Sequence, residues 1–317
     1  MAVNIPTFAD IEDAAARIAP YAVETPLIEN PDLNRRLGMR VFLKLETLQR
    51  TGSFKFRGAF NRISRIAAAD RAKGVVAFSS GNHAQGVAAA AGLLGIPALI
   101  VMPRDAPKPK LDGTRAYGAE IVFYDRVSDD REAIARKICE ERGATLIRPF
   151  DDPFVVAGQG TVGLEVARAA AAKGIWLDAI LAPCSGGGLI GGIALAFATL
   201  SRETRVISVE VENFDGMRRS LAAGMRVAAP GGALSIADAL MAPVPGEVPF
   251  AIAKRHLFDA LTIGDDAMRA AVAYTAGTLK LIVEPSGAAA LAWVLSNGFE
   301  ARNLAIVLSG ANAGAVG

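Results

Sequence analysis

The segment Thr51-Gly-Ser53-Phe-Lys55-Phe-Arg57-Gly58 places a lysine between two aromatic residues, in a turn that opens a helix. Surface lysines usually sit among polar neighbours. Two flanking rings would strip water from the ammonium and lower its pKa. A lysine depressed in this way is a good imine-forming nucleophile. The competing reading is a lysine at a helix start whose stem covers apolar surface while its head stays wet.

Other segments supply anion-binding chemistry. Ser79-Ser80-Gly81-Asn82-His83 lies between an apolar run and a helical stretch. Its small residues and backbone donors at a helix N-terminus suit a carboxylate, and an ordinary N-cap by Ser80 or Asn82 is the alternative. Two segments match GxGxxG: Gly158-Gln-Gly160-Thr-Val-Gly163 and Gly186-Gly-Gly188-Leu-Ile-Gly191. The first lacks a convincing strand before it and reads as a helix start packed closely on a neighbour. The second follows an apolar run and opens a helix, so its bare N–H groups make an anion site. Glu210, about twenty residues on, completes a nicotinamide-dinucleotide pattern. A dinucleotide, a smaller phosphate ligand and tight packing all stay open on this loop alone. With only His83 and His256 in the chain, no histidine metal cluster forms. His256 lies in a charged helix and reads as a surface residue.

These segments must be held by regular elements. Strands are expected at 74–78, 98–102, 121–124 and 145–148, with helices at 82–95, 108–118 and 129–143 between them. Short β-branched runs separated by helices mean parallel strands with crossovers. The pattern resumes with a helix at 160–173, a strand at 178–182, a helix at 189–200 and a strand at 205–210. Helices at 265–280 and 286–296 and a strand at 303–308 complete it. The expected organisation is α/β: two open, twisted, mainly parallel-sheet domains, one from 74–151 and a larger one from 1–73 with 152–317. Residues 224–249, rich in Gly, Pro and Ala, read as a long irregular surface connection.

Composition narrows the class. The chain has 317 residues, 52% of them hydrophobic, with 34 basic against 32 acidic side chains. A net charge of +2 argues for no nucleic-acid partner. Cys139 and Cys184 offer no disulfide framework, so a reducing, cytoplasmic location is the default. No signal peptide is expected. The uncharged stretch 179–201 is long enough to span a membrane, but Pro183 and its glycines would break a helix there, and no membrane partner is expected.

Together these motifs resemble the fold type II, tryptophan-synthase β-like enzymes that use pyridoxal phosphate (PLP). The resemblance runs through 51–58, 79–85, 158–161, 185–189, 284–287 and 308–312 in order, and is closest to the serine/threonine dehydratase and serine racemase branch. It implies a small amino acid as substrate and PLP bound to Lys55 as a Schiff base, in a cleft between two domains. After exchange, Lys55 would act as base at the substrate Cα. Phe54 would pack by the pyridine ring and Asn82 would hydrogen-bond its 3-hydroxyl. Ser185, Gly186, Gly187, Gly188 and Leu189 would cradle the phosphate. Ser309 would face the pyridine nitrogen, and Glu284 would line the ring. Ser79, Ser80, Gly81, Asn82 and His83 would receive the substrate carboxylate, with Arg131 reaching its side chain.

Two positions depart from the family pattern: Ser185 stands where the phosphate loop has its first glycine, and Ala311 where the late motif has a second. Many relatives carry a divalent-cation site, which implies Mg2+ or Ca2+ at Glu210 and the Phe214 carbonyl here. Its third anchor is displaced, because Gly216 stands where an aspartate is expected and Asp215 precedes it.

The expected activity is β-elimination from L-threonine or L-serine, giving a 2-oxo acid and ammonia. A neutral Ser309 at the ring nitrogen would favour loss of the hydroxyl over transamination. Serine racemisation, with Ser80 as the second acid–base group, and elimination from 3-hydroxyaspartate, with Arg131 as the extra cation, are the rivals. A nicotinamide oxidoreductase or a non-catalytic amino-acid-binding module leaves most of these motifs unused. A homodimer or homotetramer is implied by the family.

Overall fold

A computed structural model describes residues 3–106 and 108–312. Helix α1 (Phe8–Ile18) starts with a capping box, in which Thr7 and Asp10 satisfy each other's backbone N–H groups. Strand β1 (Leu27–Glu29), α2 (Pro31–Leu37) and β2 (Arg40–Leu45) lead to α3 (Lys55–Ile63). Then β3 (Val75–Phe78), α4 (Asn82–Leu93), β4 (Ala98–Pro103), α5 (Lys108–Ala116), β5 (Glu120–Tyr124), α6 (Arg131–Arg142) and β6 (Thr145–Leu146) alternate. After α7 (Pro153–Ala172) come β7 (Ala179–Pro183), α8 (Gly188–Leu200), β8 (Arg205–Val211), α9 (Gly216–Ala223) and α10 (Glu247–His256). The chain closes with β9 (Asp259–Ile263), α11 (Asp265–Tyr274), α12 (Pro285–Asn297) and β10 (Asn303–Leu308).

The strands form two sheets. One has four parallel strands in the order β5-β4-β3-β6. The other has six, β1-β2-β10-β7-β8-β9, and all its pairs are parallel except β1 with β2. Parallel sheets carry helices on both faces, so their strands read as continuous apolar runs. In β7 and β8 the alternation is visible by face. Leu181 and Val209 join the core under α12, while Ile180, Ala182 and Val206 pack beneath α8 and α10.

The first GxGxxG motif lies inside α7, not at a helix start. Its close-packing role holds: a methyl on Gly158 would stand 2.6 Å from the Gly58 Cα, where α7 crosses α3. The uncharged stretch 179–201 divides into β7, a turn and α8, and no described helix is long and apolar enough to cross a membrane. The 224–249 connection is more than a surface loop. It contains a short turn of helix at Asp238–Leu240, and α10 starts within it at Glu247. It also forms one wall of the cleft described next.

Candidate active site

Pairing of the N-terminal β2 with the C-terminal β10, in register from Arg40↔Asn303 to Leu45↔Leu308, assembles the site. Just past the ends of these strands, Ser53 bridges Gly310 and the Phe54 N–H donates to the Ser309 carbonyl at 3.2 Å. The lysine turn and the late serine motif are thereby fixed together, although they are far apart in the chain. They open onto a cavity of about 590 Å³ between the two sheets. Phe54, Lys55, Ser79–His83, Arg131, Ser185–Leu189, Phe214, Glu284 and Ser309 all line it. Glu210 does not.

Lys55 begins α3 and is half-buried. Its Nζ donates to the Pro149 carbonyl at 2.8 Å and sits 5.1 Å from the centre of the Phe54 ring. Burial pushes its pKa down to about 8. The sequence expectation of two flanking rings is corrected, because Phe56 turns into the core beneath β3 and β4. Desolvation by burial in the cleft wall produces the shift. No carboxylate ion-pairs with Lys55 among the described residues, so its amine is available near neutral pH.

The Ser79–His83 turn starts α4. Ser79 Oγ accepts the Gly81 N–H at 3.2 Å, shaping the turn. His83 is buried, and its Nε2 faces the Ile147 carbonyl at 2.9 Å. That carbonyl only accepts, so it fixes the proton on Nε2. Nδ1 is left as a buried acceptor with no partner. Burial, with Lys55 nearby, lowers the imidazole pKa to about 3. The expectation that His83 receives a carboxylate is therefore narrowed: its ring has no free N–H, and only its backbone can donate.

Gly187 adopts φ 93°, where a side chain would be strained, and a Cβ there would stand 2.6 Å from Met217 Cε. The first N–H groups of α8 have no intrahelical partner and point at the cleft. Ser185 Oγ accepts the Ala242 N–H at 3.1 Å, which leaves its own hydrogen free to donate. The Phe150 ring packs on Gly186, and the Phe150 Cβ and backbone on Gly188, so a side chain at either position would collide with Phe150.

Asn82 joins several segments. Its Nδ2 donates to Glu284 at 2.5 Å, and its Oδ1 accepts from Asn312 Nδ2 at 2.9 Å. Asn312 also donates to the Thr51 carbonyl at 2.7 Å. Burial pushes Glu284 up to about 7. Nearby, the Ser53 hydroxyl is buried without a partner.

Arg131, the first residue of α6, lies exposed at the cleft rim with its guanidinium 5.7 Å from the centre of the Phe78 ring. The helix-surface ion pair that would compete for it is absent among the described residues. Glu132 pairs instead with Arg136 and Arg148.

The expected cation site finds no support among the described residues. Both oxygens of the buried Glu210 accept backbone N–H groups at the start of α9, from Met217 and Arg218 at 2.8 Å each. Asp215 pairs with Arg218 and Arg219. No cluster of three or more His, Cys, Asp or Glu placed to hold a metal occurs among the described residues. The same geometry removes Glu210 as a ribose-binding residue.

The sequence reading missed three features. One is Ile147–Asp152, whose carbonyls hold His83 and Lys55 and whose Phe150 backs the glycine turn. Carbonyls carry no residue-type signal, so nothing in the composition marks this strand-to-helix passage. The second is a buried charge network. Arg57 contacts Glu46 and Glu165, and Glu165 also pairs with Lys44. Arg57 stood in the lysine motif, but its partners come from β2 onward and from α7. The third is an ion pair between Lys110 and Asp238.

The donors fit PLP. A depressed, unpaired lysine amine faces a cleft that also holds a glycine-lined helix N-terminus for a phosphate.

Comparison with known proteins agrees. The chain is 42% identical over 312 residues to an L-threo-3-hydroxyaspartate ammonia-lyase of a Pseudomonas species, covering 98% of this chain and 96% of that protein. It is 38% identical to a serine racemase of Schizosaccharomyces pombe, over 97% of this chain and 94% of that one. The solved serine racemase of maize superposes with a TM-score of 0.93 at 37% identity, covering 98% of this chain and 95% of that one. Residues 18–310 match the family described as pyridoxal-phosphate dependent enzyme, and the chain belongs to that family.

Proposed function

We propose that the protein is an ammonia-lyase that eliminates the β-hydroxyl of L-threonine or L-serine, releasing a 2-oxo acid and ammonia. The observation that carries this is Lys55, a half-buried amine brought to about 8 with no acidic partner among the described residues, in the same cleft as the glycine turn and the serine turn. Lys55 would hold PLP covalently and, once the substrate amine has displaced it, would be the base that takes the Cα proton. When bound, PLP supplies the electron sink for breaking the Cα–H bond. Backbone N–H groups of 186–189 and the Ser185 hydroxyl would hold the phosphate. The Ser79–Gly81 turn and the α4 N-terminus orient the substrate carboxylate. Ser309 would offer a neutral hydroxyl to the cofactor ring, and Phe54 and Glu284, which also line the cleft, would pack beside it.

One observation favours a second substrate. Among the described residues Arg131 stands at the rim without a carboxylate partner, as a second substrate carboxylate would require. That supports 3-hydroxyaspartate, the substrate in the name of the Pseudomonas relative. The reading includes the division into 1–73 with 152–317 and 74–151, a homodimer or homotetramer, and a cytoplasmic location.

A substrate panel tests it: L-threonine, L-serine, D-serine and both 3-hydroxyaspartate diastereomers, with 2-oxo acid and enantiomer scored separately. Oxo acid from a β-hydroxy amino acid is expected. Enantiomer without oxo acid would replace the lyase by a racemase.

A further inference from the structure

Lys110, on α5, is 8% exposed, a low value for a lysine unless it is paired. Its Nζ reaches across the cleft to the carboxylate of Asp238, 128 residues away. The two ends belong to different sides. Helix α5 connects β4 to β5 of the four-stranded sheet, whereas Asp238 is anchored to the six-stranded side. Asp265 accepts from Ser235 Oγ at 2.5 Å and from the Ile236 N–H at 3.1 Å. Ser286 Oγ accepts the Ala239 N–H at 3.2 Å. Asp238 is therefore the fixed half of the pair. The Lys110 stem lies along the carboxylate-receiving turn, its Cδ and Nζ each 3.5 Å from where a Cβ on Gly81 would stand.

We propose that Lys110 and Asp238 form a latch that holds the two sides of the cleft together and, through the Lys110 stem on Gly81, sets the Ser79–Gly81 turn for the substrate carboxylate. Lys110 is a positioning residue here. Its ammonium is spent on Asp238, and its stem occupies the space beside Gly81. The Asp238 side chain is 41% exposed. A pair so placed is weak enough to break and re-form as substrate enters and leaves.

The test uses the PLP-loaded enzyme and four variants: Lys110→Met, Lys110→Arg, Asp238→Asn and the double swap Lys110→Asp/Asp238→Lys. The readouts are backbone hydrogen exchange across 79–83 without substrate, and the steady-state constants. Lys110→Met and Asp238→Asn should each speed exchange and raise KM roughly two- to fivefold, with kcat nearly unchanged. Lys110→Arg and the swap should recover both. Two results overturn the latch: unchanged exchange in both single charge-removing variants, or a silent Asp238→Asn beside a damaging Lys110→Met, which would make Lys110 a direct substrate contact. The KM arm rests on the proposed amino-acid site, whereas the exchange arm does not. Exchange that follows the pair in an enzyme inactive on every hydroxy amino acid would sink the proposed function and leave the latch standing.

Discussion

Asn82 and Glu284 lie 202 residues apart in sequence and 2.5 Å apart in space, with the Asn82 amide donating to the Glu284 carboxyl. The contact ties the start of α4 to the start of α12 across the cleft. It forms at a carboxyl that burial has pushed up to about 7 from an ordinary 4.5. Between those two values the folded chain keeps a proton that the unfolded chain loses, so this group makes the fold less stable as pH rises through the window. Glu284→Gln keeps an acceptor for Asn82 and removes the ionisation. Denaturant titration of the PLP-free protein should show the variant more stable than the parent by up to about 3 kcal/mol at pH 8, and nearly equal to it below pH 4.5.

The buried Arg57–Glu46 pair works in the opposite direction. Both side chains are fully buried. Burial alone would raise Glu46, but Arg57 and Lys44 outweigh it and hold the carboxyl below its ordinary 4.5. The stability from this pair is present above pH 4.5 and is lost as pH falls through the folded value. Arg57→Met strands a buried carboxylate and should cost about 3–5 kcal/mol at pH 7. Adding Glu46→Gln should recover part of that loss. Thermal unfolding of the single and double variants at pH 7 and pH 4 checks both statements.

Much of the site was legible from residue types, and its failures have physical causes. The alternation from β3 to β6 could be read because parallel strands buried on both faces are apolar without interruption. The pairing of β2 with β10 could not, since neither strand names its partner. Phe56 departs from the expectation because successive residues on a helix point about 100° apart, so the residue after Lys55 faces the core. Glu210 looked like a metal or ribose ligand because strand ends often carry such acids, yet the next helix begins close enough to take both oxygens. Lys55's contact is a backbone carbonyl, which every residue has, so no pattern could single out Pro149.

That capping role makes Glu210 a stability residue. Glu210→Ala removes two buried hydrogen bonds from the start of α9 and should lower stability by about 2 kcal/mol. The melting temperature of the parent protein should be the same in Mg2+ and in EDTA. A midpoint that rises with Mg2+ or Ca2+ and loses that response in Glu210→Ala would restore the cation site.

Arg131 should separate substrates by charge. A charge-assisted hydrogen bond to a second carboxylate contributes about 1.5–3 kcal/mol. Arg131→Met should therefore lower kcat/KM for 3-hydroxyaspartate by roughly 10- to 100-fold, and that for L-serine by no more than about threefold. Equal losses on both substrates would assign Arg131 to holding Phe78 and the rim.

The most direct measurement is chemical mapping of the cofactor. The purified protein is incubated with PLP, reduced with borohydride, digested and examined by mass spectrometry. The expected result is a single pyridoxyl-modified peptide carrying Lys55, absent in Lys55→Ala, which should also lose all turnover of hydroxy amino acids. Modification at another lysine, or a Lys55→Ala enzyme that still releases 2-oxo acid, would contradict the assignment of Lys55 as the cofactor lysine.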